Sequence, residues 1–147
     1  KTVPYLITGY IVMTFMFIIA LIIFGIHIKG SVLLLYLLSG VYLAGNLGIA
    51  LLISVSAHTQ QQALLTAFFI LMPAVLLSGF IFPIHNMPVA VQYASYLNPM
   101  RWYMDILRGI IMKGVGAHAL MKAILWQALL AVSFLIIATY RFRKTLD

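Results

Sequence analysis

The chain has 147 residues, of which 65% are hydrophobic and 7% charged, with nine Lys or Arg against two Asp or Glu and a formal net charge of +7. A soluble domain carries about 25% charged residues, so this composition excludes a water-soluble fold. The basic residues form no continuous face that could track a phosphate backbone, which excludes nucleic acid as a partner, and the absence of Cys excludes disulfides and thiolate metal sites.

The first apolar stretch, about residues 5–28, reaches the roughly 20 apolar residues that a membrane span needs. Pro4 suits the first turn of its helix, where a missing N–H costs nothing. The stretch is too long for a cleavable signal and lacks a small-residue cleavage pattern. Lys29, Gly30 and Ser31 break the chain before a second span at about 32–55. Small residues at Gly40, Ala44 and Gly48 recur every fourth position there, which lets helix backbones approach closely. They read as an intramolecular packing face, or alternatively as a dimer or conduit seam. Asn46 lies mid-span, where an amide seeks a partner across a helix interface for about 0.6–2 kcal/mol, or meets a substrate. Gly40 and Gly45 have the glycine spacing of a nucleotide-binding loop, but Asn46 follows where that motif requires Lys, and the run lies inside a span.

His58-Thr59-Gln60-Gln61-Gln62 is a short polar crossing before a third span at about 63–82. Pro73 lies inside it and kinks it. Ser78-Gly79 then lets the chain turn toward Phe80-Ile81-Phe82-Pro83. Pro73, Ser78, Gly79, Phe80 and Phe82 read either as architecture or as a constriction on an exit path.

The region of about 87–113 is too irregular for a plain span. It holds Pro88 and Pro99, the charges Arg101, Asp105, Arg108 and Lys113, and the rings of Tyr93, Tyr96, Trp102 and Tyr103, residue types that favour the headgroup zone. Two short helices are expected, Met87 to Leu97 and a second from Asn98-Pro99 to Lys113. Asn98 is cap-like, Pro99 takes the first helical position, and Gly114 is the C-terminal stop. Arg101, Asp105 and Arg108, four and three apart, share one face and are expected to form a local ion pair or triad. That set holds a charged helix at the interface, or alternatively acts as an outer gate. Asp105→Ala, leaving two cations unbalanced, is then expected to fold poorly or lose transport.

The fourth span, about 120–140, ends in the basic cluster Arg141, Arg143 and Lys144. Basic residues abutting a span favour the cytoplasmic side, which puts both ends of the chain there. His27, His58, His85 and His118 are scattered without metal-ligand spacing, and one internal acid cannot furnish a hydrolytic set. The fold class is therefore an all-α polytopic membrane protein, with four transmembrane helices and a re-entrant or interfacial helical hairpin between the third and fourth.

The order Leu77-Ser78-Gly79-Phe80-Ile81-Phe82-Pro83, Met87-Pro88, Asn98-Pro99, Arg108-Gly109-Ile110 and Lys113-Gly114 resembles the C-terminal part of type-2 ABC exporter permeases, among them bacterial drug-efflux permeases. The resemblance implies a six-span domain of which this chain holds the last four spans. Lys1-Thr2-Val3-Pro4 would follow a cytoplasmic coupling helix, and the hairpin would lie near the outer surface. It also implies an inner-membrane location, a second permease copy, and an ATPase subunit or domain carrying ATP and Mg, with no cofactor in this chain. The expected function is export of hydrophobic or amphipathic small molecules. A membrane scaffold and a passive channel are the alternatives.

Overall fold

The computed structural model describes residues 3–79, 81–114, 116 and 118–146, and the described chain is helical with no strand among those residues. Helix α1 spans Val3–Phe24. It stops short of the expected 28 because Gly25 takes φ 64° and donates its N–H to Leu21 O at 3.1 Å, a left-handed termination. Helix α2 spans Val32–Ser56, with Ser31 Oγ accepting from Leu34 N as its N-cap.

Helix α3 spans Gln60–Leu76. Thr59 Oγ1 accepts from Gln62 N at 3.1 Å, while Gln62 Oε1 accepts from His58 N at 3.0 Å, a variant of the reciprocal capping box. The helix ends six residues before the expected 82. Pro73 withdraws one N–H from its last turns, and Gly79, at φ 83°, turns the chain away. At 17 residues α3 is about 25 Å long, less than the roughly 30 Å of a bilayer core. Among the described residues, three helices are long and apolar enough to cross a membrane: α1, α2 and the last helix over Met121–Lys144.

Between α3 and that last helix come a 3₁₀ turn at Ile84–Asn86, α4 at Val89–Ser95, α5 at Pro99–Leu107 and a π turn at Arg108–Lys113. Gly114, at φ 67°, closes that turn. Helix α6 spans Met121–Leu146.

The core lies where α2, α5, the π turn and α6 meet, around Leu35, Leu38, Trp102, Ile106, Ile110 and Leu130. Trp102, Ile106 and Ile110 recur every fourth residue and form the buried face of the α5 segment. The α2–α6 contact is close because two glycines leave room: an added Cβ at Gly45 would meet Ala131 at 3.3 Å, and one at Gly48 would meet the Phe134 and Leu135 backbone at 2.9–3.0 Å. Neither α1 nor α3 has a fully buried residue. Many of their apolar side chains face outward, as a helix surrounded by lipid or further protein requires.

Candidate functional site

Two cavities flank the junction of α3 with α5. The first is an apolar groove between α2, α3 and the start of α5. Two adjoining hollows of about 430 and 210 Å³ share Ile49, Ile53, Ile70, Ala74, Asn98 and Pro99 as walls. Pro73 lines the larger hollow and Asn46 the smaller. Asn46 Nδ2 donates to Tyr42 O, one turn back on its own helix, at 3.1 Å. Its amide is therefore partnered locally while it borders the groove.

Asn98 organises this junction. Its Oδ1 accepts from Met100 N at 3.1 Å, capping α5, and its Nδ2 donates to Ala74 O at 2.7 Å. Ala74 O lies in the last turn of α3, where carbonyls lack partners within the helix. One buried amide thus caps two helices, the end of α3 and the start of α5. The cap on α5 was legible in the Asn-Pro pair; the bond to α3 had no local signal.

The second cavity is polar, about 510 Å³, and lies under the turn after α3. His85, Gln92, Arg101, Asp105 and Arg108 line it, with Gly79, Ile81, Pro83 and Ile84. The shared face expected for 101, 105 and 108 is therefore the wall of a cavity. Ion pairing is not what holds its charges. Arg101 Nη1 donates to Gln92 O at 3.2 Å and to Ser95 Oγ, and its guanidinium lies 4.4 Å from the Tyr96 ring centroid and 4.7 Å from that of Trp102. Arg108 Nη2 donates to Gly79 O at 2.8 Å. None of these bonds goes to Asp105, because each guanidinium has nearer acceptors of its own.

Burial pushes the Asp105 carboxyl above the usual carboxylate range, against the opposing pull of Arg101, Arg108, Lys113 and Lys122. A raised carboxyl contributes stability while protonated, below its unfolded value, and loses it as pH rises through the folded value. Asp105→Asn is therefore expected to melt at or above wild type at neutral pH and to match it near about pH 3, where both forms are neutral. Thermal unfolding of the detergent-solubilised protein across pH checks this. A variant melting far below wild type at pH 7 would mean that the cations outweigh the burial, the behaviour anticipated above for Asp105→Ala.

The other expected path residues are dispersed. Ser78 is buried and donates its Oγ–H to Val75 O at 2.6 Å, closing the end of α3. Phe82 is exposed and belongs to neither cavity wall described here, and Phe80 lies outside the described residues. The small residues of α2 also divide. Gly48 faces α6, and Gly40 makes room for the Tyr10 hydroxyl of α1, which donates to Tyr36 O at 2.8 Å. Ala44 is half-buried between them.

Several polar groups had no sequence signal. Tyr103 Oη shares a hydrogen bond with Ser39 Oγ at 2.8 Å, and its ring stacks on Tyr42 with centroids 4.1 Å apart, tying α5 to α2. Gln127 of α6 is 1% exposed, and neither its Oε1 nor its Nε2 has a partner, an arrangement that costs about 1–3 kcal/mol.

Compared with known proteins, residues 1–112 match the family described as ABC-2 type transporter. The whole chain is 31% identical over 151 aligned residues to the probable multidrug ABC transporter permease YbhS of Escherichia coli (strain K12), covering 39% of that protein. It is 36% identical over 129 residues to the probable multidrug ABC transporter permease YbhR of the same strain, covering 88% of this chain and 34% of the relative. The inner membrane transport permease YhhJ of that strain is 28% identical over 122 residues, or 83% of this chain and 33% of the relative. The chain thus spans about two-fifths or less of the length of these relatives. No solved structure matches it significantly.

Proposed function

The chain belongs to the ABC-2 type transporter family, and on that premise we propose that it is the C-terminal part of an exporter permease that moves hydrophobic or amphipathic small molecules across the bacterial inner membrane. The observation that carries the substrate class is the groove between α2, α3 and α5: its walls are mostly apolar, with the amides of Asn46 and Asn98 and the hydroxyl-bearing Tyr42, Ser56 and Thr66 as its few polar residues. Sites for apolar ligands have this character, a greasy wall with a few placed hydrogen-bonding groups that set orientation. Two relatives whose names carry the word multidrug support the same reading.

In this reading α3, short as a helix, completes a fourth crossing together with the chain that follows it. The segment from Met87 to Lys113 dips into the outer interface, and both ends of the chain lie on the cytoplasmic side. A second permease copy faces this one, and an ATPase subunit or domain, loaded with ATP and Mg, supplies the energy. The chain's own part is differential affinity: a substrate bound more tightly in one state of the groove than in the other shifts the population between them.

The test is purification of the full-length parent protein in detergent, followed by ATPase assay of whatever accompanies it. Vanadate-sensitive hydrolysis that follows the permease, and that changes with amphipathic drugs in the wild type but not in an Ile70→Trp variant with a filled groove, is the expected result. A folded protein with no ATPase, bound or fused, would favour a scaffold, and conductance without ATP a channel.

A further inference from the structure

The polar cavity beside the hairpin is not explained by carriage of an apolar substrate. Its two cations are held in different ways. Arg101 is immobilised: its guanidinium lies against the rings of Tyr96 and Trp102, Nη1 is committed to Gln92 O and Ser95 Oγ, and its buried Nε has no acceptor. Arg108 is exposed at the rim and commits Nη2 to Gly79 O, with further N–H donors beyond that bond. Asp105 is the one carboxylate in the wall, so the walls carry a net positive charge, while the exposed side chains of Ile81, Phe82 and Tyr93 supply apolar and aromatic surface on the same segment.

A fixed guanidinium in the wall, a second, exposed guanidinium with further N–H donors, and apolar surface alongside are the parts that recognise a phosphate ester carrying an apolar tail. We propose that this cavity binds a phosphate ester, the headgroup of an anionic phospholipid whose acyl chains lie against the exposed apolar side chains of the hairpin. The site would hold the hairpin at the interface, a role separate from the groove and independent of whether the protein exports anything.

The test uses the full-length parent protein in neutral detergent, with bound lipid read by native mass spectrometry. Phosphatidylglycerol and phosphatidylcholine are titrated separately, and glycerol 3-phosphate serves as a tail-free competitor. The variants are His85→Glu, which adds a negative charge on an exposed side chain of the cavity wall, and Asp105→Asn, which removes one. Phosphatidylglycerol is expected to bind in preference to phosphatidylcholine, about tenfold more weakly in His85→Glu and several-fold more tightly in Asp105→Asn. Failure of glycerol 3-phosphate to compete assigns a lipid headgroup. Effective competition supports the phosphate-ester site and gives it to a soluble ester instead. Equal retention of both lipids, or affinity unmoved by both substitutions, overturns the site.

Discussion

Asn98→Ala is expected to destabilise the protein by about 2–4 kcal/mol, the sum of a lost N-cap and a buried carbonyl left without a donor. The residue is 8% exposed, and its amide serves Ala74 O at the end of α3 and Met100 N at the start of α5. Truncation removes both bonds at once, and no other described hydrogen bond links α3 to α5. Asn98→Asp separates the two roles. A carboxylate retains the acceptor for Met100 N but turns an anion toward the Ala74 carbonyl, so this variant should keep the α5 cap and lose the tie to α3. The measurement is the thermal midpoint of the parent protein in detergent, together with protease accessibility of the chain after α3. If Asn98→Ala melts with wild type, α3 is held by something other than this amide.

Gly48→Ala should be the most damaging glycine-to-alanine change on α2. Its Cβ would lie 2.9 Å from Phe134 C and 3.0 Å from Leu135 N. These are backbone atoms of a continuous helix and cannot swing aside. Relief requires α6 to move away from α2, which loosens the core around Leu35, Leu38 and Leu130; overpacking of this kind costs about 1–3 kcal/mol. Gly40→Ala provides the contrast. There the obstructing group is the Tyr10 hydroxyl, the far end of a side chain, so Tyr10→Phe should restore most of the loss, whereas no side-chain truncation on α6 should rescue Gly48→Ala. Thermal midpoints of the single and double variants decide it. Equal tolerance at Gly40 and Gly48 would mean that the helix pair is not held at this distance.

Much of the outline was present in local chemistry. The apolar runs of α1, α2 and α6 leave no other stable setting than lipid, and Ser31, Thr59 and Asn98 each take the capping role their residue type favours. The spacing of Arg101, Asp105 and Arg108 placed them on one face of a helix, the face that lines a cavity. Helix ends were less legible. Gly25 stops α1 early and Gly79 turns the chain after α3, because a single positive φ ends a helix even where hydrophobicity continues.

What composition and pattern determined by themselves is the class: a helical membrane protein with a charged, aromatic segment before its last helix, since burial of apolar residues and the cost of charge in lipid act residue by residue. What only the tertiary structure decided is who meets whom. The ion triad became two arginines bonded to backbone and serine oxygens, the small-residue face of α2 was divided between α1 and α6, and Asn98 acquired a second helix to cap. Each of those outcomes depends on the distance between elements far apart in sequence, and a guanidinium or amide binds whichever acceptor the packing brings within about 3 Å.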